Sequence, residues 1–374
     1  MSNLKKFNIF VFITSFAKGL IEVFIPLILY DKGFSIKDIL LFLIIKHALC
    51  TLLSIPTKFY KDASCSFLMV TSSIFFSITY IYLNFLKESI FSLITLAILS
   101  SLYASFYWTV RHVYALRIIK DKKATDNTSS YQIFTLVGLL LSTFIGAEII
   151  EHFGYLVLSI IVLIIMNLSI LPLLKMKSYD TKTPETMKEI ATSYPLKNFI
   201  FTFIDQFRSI AIYLFPLYVY LYIKRKFTYL GVVNIICGIS SIIYIYYLAK
   251  KMDKNKKDYL KLSSILLAIT FLIKLNIKGS IIFLIVVFFE GIFKSSLDTI
   301  VQRNTYAYGK NYNSISYIGF SETIINLSKV LILLVFYLTN IDLKLILLLS
   351  VLTIFINSLI GFNDGKFGYN KELS

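Results

Sequence analysis

The chain has 374 residues, of which 57% are hydrophobic, 16% aromatic and 16% charged, and its formal net charge is +17. Soluble domains carry roughly 25% charged residues, whereas mean hydropathy here is +0.75, so a soluble globular domain is excluded. The positive surplus does not indicate a nucleic-acid partner, because Lys and Arg gather in short loops between apolar runs, as membrane topology requires.

Apolar runs of about 20 residues recur along the whole chain, the length that crosses a ~30 Å hydrocarbon core at about 1.5 Å per helical residue. Alternating strands of about ten residues are absent, so a β-barrel is not expected. Met1 to Lys6 is basic, but the run after it carries Lys18 and Glu22 and lacks a cleavage site, which predicts a retained first helix. Span 1 (7–30) holds Lys18 and Glu22, four apart on one helical face, with Pro26 beyond them. Span 2 (36–57) holds Lys46 beside His47, and span 3 (64–85) follows. Span 4 (90–117) is crowded with Tyr103, Phe106, Tyr107, Trp108 and Tyr114, next to Arg111 and His112. Spans 5 (131–150) and 6 (153–174) complete the first half.

A polar stretch from Lys175 to Lys197 then divides six spans from six. Span 7 (197–222) holds Asp205, Arg208 and Pro216; spans 8 (229–249) and 9 (260–277) follow. Span 10 (280–301) carries Glu290, Lys294 and Asp298 as one stripe at i, i+4 and i+8. Span 11 (314–338) carries Glu322 and Lys329, and span 12 (343–362) ends the series. The expected domains are residues 1–175, a cytoplasmic linker 176–196, and residues 197–374 with a short tail.

With both termini cytoplasmic, inside segments hold roughly 24 Lys and Arg against about nine outside, the bias expected of a multi-pass protein of the cytoplasmic membrane. Lys224-Arg225-Lys226 is the main exception, on the expected outside. Asn8, Lys18, Pro26, Leu27 and Tyr30 recur as Asn198, Arg208, Pro216, Leu217 and Tyr220, offset by 190. Arg117 and Ser130-Tyr131-x-x-Phe134 recur as Arg303 and Ser316-Tyr317-x-x-Phe320, offset by 186. The two registers share one orientation, which predicts a parallel repeat about an axis along the membrane normal.

On these features the chain resembles the major facilitator superfamily over its whole length. The loop after span 2 retains Pro56-Thr57-Lys58-Phe59-Tyr60-Lys61-Asp62 as a remnant of the family's Gly-rich, Asp/Arg-containing loop. The glycine–proline signature that many antiporter members carry in span 5 is reduced to Gly138 and Gly146. Arg111 lies nearer the cytoplasmic end of span 4 than the arginine often found midway along it in the family. The resemblance implies an all-α membrane protein of twelve transmembrane helices in two six-helix halves. It also implies alternating access around a central cavity lined by spans 1, 4, 7 and 10.

Ionisable groups in hydrocarbon are costly unless paired or hydrated, which makes them functional candidates. Glu22, Asp205 and Glu290 are the candidates for proton coupling. Glu22 has the strongest case, being mid-span beside Lys18. Substrate-cavity candidates are Lys18, Arg208, Lys294, Tyr107, Trp108 and Arg111. Lys18 and Arg208, at equivalent repeat positions, either clamp an anionic or zwitterionic group or balance Glu22 and Asp205. The span 10 stripe reads equally as a fixed salt-bridge ladder. Asp298 and Lys329 are read as lying near span ends, where a charge snorkels to the interface. Pro26 and Pro216 are candidate kinks or gates.

Cys50, Cys65 and Cys237 show no CxxC spacing, and His47, His112 and His152 are scattered, so no disulfide framework and no metal site is expected. No GxxxxGK[ST] loop or clustered catalytic set is found, so neither a nucleotide-driven pump nor an enzyme is expected, and no cofactor. The reading is a secondary transporter, working as a monomer, that moves a small, amphipathic organic solute with a proton, efflux being preferred over uptake. A lipid flippase or a non-transporting membrane sensor on the same fold stays open as the alternative.

Overall fold

The structure, a computed structural model, describes residues 3–55, 65–118, 124–174, 187–247, 259–277, 281–309 and 314–361. The remnant loop Pro56–Asp62 lies outside these residues. Twelve helical spans are found among them. Span 1 is Asn3–Ile21, a 3-10 turn at Glu22–Phe24, and Ile25–Asp31. Spans 2, 3 and 4 are Ile36–Ser54, Cys65–Tyr82 and Ile90–Ile118. Spans 5 and 6 form one helical run, Ala124–Leu168, broken at Gly154. The second half has Leu196–Tyr222, Phe227–Tyr247, Tyr259–Lys274, Ile281–Gly309, Ser314–Thr339 and Leu343–Ile360 as spans 7 to 12.

Eight helices of the described residues are long and apolar enough to cross a membrane by length and composition alone, spans 5 and 6 counting as one. Span 9 falls short of that test in length, at 16 residues, and spans 2 and 10 carry too many charges for it: Lys37, Asp38 and Lys46 in one, Glu290, Lys294 and Asp298 in the other. These charges are tolerated because most of them face protein or an internal cavity rather than lipid. Two expectations about span ends are corrected here. Span 10 continues to Gly309, so Asp298 lies well inside its helix. Lys329 lies ten residues before the end of span 11 at Thr339.

Helix association in lipid depends on close packing, because burial of apolar surface drives little there. Spans 1 and 5 show how the sequence provides it. Gly138, Ser142 and Gly146 recur every four residues and present a flat stripe to span 1. A side chain at Gly138 would come within 2.7 Å of the Phe12 carbonyl oxygen, and one at Gly146 would collide with that of Leu20. The two glycines left from the antiporter signature therefore serve as a helix contact. Between the halves, span 5 packs on span 8, with Phe144 over Gly231 and Leu140 over Gly238, and span 2 packs on span 11. A shift of six spans exchanges these two contacts, as a parallel repeat requires.

Proline acts differently at its two repeat positions. Pro26 has no N–H for the Glu22 carbonyl. Ile25 N–H bonds to that carbonyl instead, which tightens Glu22–Phe24 into a 3-10 turn and interrupts span 1. Pro216 sits inside span 7, and the helix runs through it without a break. Of the expected linker, 187–196 is described. Met187–Ser193 is a helix, and Tyr194 after it packs edge-on against Tyr308 of span 10 and Phe320 of span 11.

Candidate functional site

A cavity of about 720 Å³ lies between the halves. Spans 1, 2, 4, 5, 7, 8, 10 and 11 contribute to its wall, and spans 3, 6, 9 and 12 do not. This widens the expected set of 1, 4, 7 and 10. Of the sequence candidates, Glu22, Trp108, Arg111, Lys294 and Pro216 reach the wall. Lys18, Tyr107, Asp205, Arg208, Glu290 and Pro26 stand outside it.

In the first half, Lys18 is buried in an aromatic cage, its ammonium 4.1 Å from the Trp108 ring centre and 4.5 Å from that of Tyr107. It reaches Glu22, the first residue of the turn that breaks span 1, at 3.4 Å. The Glu22 side chain is 30% exposed against 6% for Lys18, so the carboxylate is the accessible member of the pair. Trp108 is taken on a second side by Arg111, whose guanidinium carbon lies 4.8 Å from its ring centre. Arg111 donates to Tyr107 Oη and to Thr135 Oγ1, both at 3.1 Å. The aromatic group picked out in span 4 thus already holds two cations of the protein itself.

In the second half, Arg208 grips Asp205 with Nε and Nη2 at 2.7 and 2.9 Å and reaches Asp298 with Nη1 at 2.8 Å. This ties span 7 to span 10 behind the wall. The repeat pair Lys18 and Arg208 therefore does not point into the cavity; each is neutralised by its own acids. The stripe in span 10 also divides. Glu290 turns to Lys274 of span 9 at 2.6 Å, while Lys294 and Asp298 face the cavity. Lys274, at the end of span 9, is fully buried between Phe215 and Phe271. It falls within the expected span 9 (260–277) but is not among the charges singled out from the sequence.

Polar contacts between the halves cross both ends of the cavity. Toward the face with the 4–5 and 10–11 loops, Gln132 Nε2 donates to Gln302 Oε1 and Thr299 Oγ1 to Gln132 Oε1, both at 2.6 Å. There, too, His112 Nδ1 meets Tyr306 Oη at 2.7 Å, and its Nε2 stands 3.8 Å from Glu322. His47 Nδ1 meets Asn326 Oδ1 at 2.8 Å across the span 2–11 seam. At the opposite face Asp31 accepts from Tyr220 Oη at 3.2 Å and, within its own half, from Tyr155 Oη at 3.0 Å, and Glu151 accepts from Thr228 N at 3.0 Å. Asp31 and Gln132 carried no signal in the sequence, since a polar residue at a span end is ordinary. Lys46, Glu322 and Lys329 were visible as intramembrane charges, and the structure puts all three in the wall.

The family model for the Major Facilitator Superfamily matches residues 7–332. Among solved structures, one similar fold is a Major Facilitator Superfamily transporter, FucP, in the outward conformation. Its TM-score is 0.67 at 12% identity, covering 97% of this chain and 99% of that one. Another is the human organic anion transporter MFSD10 (TETRAN), with a TM-score of 0.63 at 9% identity, covering 96% and 100%. At such identities the likeness carries the fold. No curated protein sequence matches the chain.

Proposed function

The chain belongs to the Major Facilitator Superfamily, and so to a family of multi-pass membrane transporters rather than enzymes, and from that premise we propose proton-coupled export of a small, amphipathic organic solute by alternating access. The observation that carries this reading is the placement of Glu22. Its carboxylate lines a cavity shared by both halves, at the 3-10 turn that interrupts span 1. A carboxylate at a break is moved by any bending there, and its contact with Lys18 ties the first residue of the turn to the helix before it. A proton on Glu22 removes the charge that holds the start of the turn to Lys18, which couples the proton to the geometry of span 1. The contacts at the two faces are then the closures that open in alternation.

Asp205 and Glu290 are assigned a supporting part, since each is closed against a cation behind the wall. Pro26 is assigned the hinge. Pro216, in an unbroken helix, is a weaker gate. The proposal places the protein as a monomer in the cytoplasmic membrane with both termini inside, on the bias of basic loops.

The test begins with metabolite comparison between cells lacking and overexpressing the protein. Solutes that change are then measured in proteoliposomes with an imposed pH gradient. Gradient-driven flux should be lost in Glu22→Gln while solute exchange without a gradient persists. Undiminished gradient-driven flux in the variant removes Glu22 from the mechanism. Accumulation in inside-out but not right-side-out vesicles is the expected sign of export.

A further inference from the structure

The charges around the cavity do not balance. Six cations stand in the wall or directly behind it: Lys18, Lys46, Arg111, Arg208, Lys294 and Lys329. Four carboxylates face them: Glu22, Asp205, Asp298 and Glu322. Two positive charges are therefore in surplus around one cavity. Three of the carboxylates are paired with cations, Glu22 with Lys18 and both Asp205 and Asp298 with Arg208, while Glu322 has the imidazole of His112 at 3.8 Å. Among the described residues no carboxylate lies within 4.0 Å of the ammonium of Lys46, Lys294 or Lys329.

Two of these lysines come from opposite halves. Lys46 is on span 2 and Lys329 on span 11, across the seam where those helices pack, close enough to repel each other. Glu22 attracts Lys46 and Glu322 attracts Lys329, both from beyond ion-pair distance. Unpaired donors join them. The Lys46 ammonium is 5.9 Å from the Tyr213 ring centre, and the buried Tyr213 hydroxyl has no hydrogen-bond partner among the described residues. The same holds for Nε of Arg111. Donors and positive charge left over in one cavity call for an acceptor carrying negative charge. Of the rings in the wall, Trp108 already holds Lys18 and Arg111, and Tyr213 has Lys46 beside it, so a cationic solute finds cations in its place.

We propose that the solute is an organic anion, its carboxylate or phosphate bridged between Lys46 and Lys329, with Tyr213 donating beside them and Lys294 adding positive charge in the same cavity. The bridge would draw the halves together at one seam, so that loading and closure share a contact. This rests on the transport reading only in taking the cavity as the solute site.

Trp108 is the one tryptophan of the chain and lines the cavity, so its fluorescence reports occupancy. The purified protein in detergent is titrated with phenylpropionate, phenyl phosphate, phenylpropionamide and phenethylamine. The two anions should quench saturably and bind at least about tenfold more tightly than the amide and the amine. The carboxylate and phosphate arms decide which oxyanion is preferred, and either supports the proposal. Lys46→Gln and Lys329→Gln should each remove that preference, and Lys46→Arg should restore most of it, with melting temperatures confirming that the variants fold.

Equal or tighter binding of the amide or amine overturns the proposal, as does preference retained in both glutamine variants, or no saturable quenching by either anion. Flux of a neutral or cationic solute in proteoliposomes would overturn it while leaving the transporter reading intact. Anion binding with the lysine dependence above, but without flux of any solute, would support the anion site and count against transport.

Discussion

The Lys274–Glu290 pair offers the sharpest separation of a structural charge from a coupling charge. The two side chains meet at 2.6 Å with 0% and 9% of their surfaces exposed, so water cannot replace a lost partner. Removing one member of a buried pair costs about 3–5 kcal/mol, because the other charge stays buried and unpaired. In Glu290→Gln the ammonium of Lys274 would keep its place 3.4 Å from the Phe215 ring centre and 3.9 Å from that of Phe271. Such desolvated cation–π contacts are worth about 2 kcal/mol or more, and because they remain they keep the ammonium partly compensated once the carboxylate is lost. The expected destabilisation is therefore near the lower end, about 3 kcal/mol.

Replacing both members, as Lys274→Met with Glu290→Gln, should bring stability back to within about 1 kcal/mol, since an apolar or neutral pair of similar volume is tolerated there. Equilibrium unfolding by SDS titration in mixed micelles, read by Trp108 fluorescence, would give the three differences and their coupling. Full stability of Glu290→Gln together with loss of gradient-driven transport would refute the reasoning and make Glu290 the proton carrier.

Two further outcomes test the packing and the closures. Gly146→Leu should abolish assembly, because any side chain there collides with the Leu20 carbonyl, whereas Gly154→Ala, with open space at φ +78°, should cost only about 1–3 kcal/mol of backbone strain; size-exclusion profiles and melting curves compare them. Asp31→Ala removes the acceptor of both Tyr155 and Tyr220, so modification of cavity-lining Cys237 by an impermeant thiol reagent applied from that face should speed up several-fold; an unchanged rate would show that these contacts do not hold the face closed.

Membrane helices are unusually legible in a sequence, because a bilayer imposes a length and an apolar content on every span. Twelve spans followed from that constraint, the expected midpoint division from the one long polar stretch, and the repeat from residues that recur at offsets of 190 and 186. The ends of spans were less legible, since a helix such as Ile281–Gly309 continues past its apolar window. That is why Asp298 was placed near an interface when it lies in the cavity wall.

Most of the charged residues were also plain, because hydrocarbon makes them conspicuous, although Lys274 inside the expected span 9 was passed over. Their partners were not. Spacing on one helix suggested Glu290 with Lys294, and it pointed correctly to Lys18 with Glu22 and Asp205 with Arg208. An ammonium on a long flexible stem can equally reach a neighbouring helix, and Lys274 does so from span 9. Likewise the equivalence of Lys18 and Arg208 was a property of the sequence, but whether a cation faces a cavity depends on helix rotation. Rotation is fixed by contacts such as Gly138 and Gly146 against span 1, and those exist only once the bundle is packed. The sequence alone thus determined how many helices cross and which of them carry charge. The tertiary structure decided which charges neutralise one another, and left Lys46, Lys294 and Lys329 facing the space between the halves.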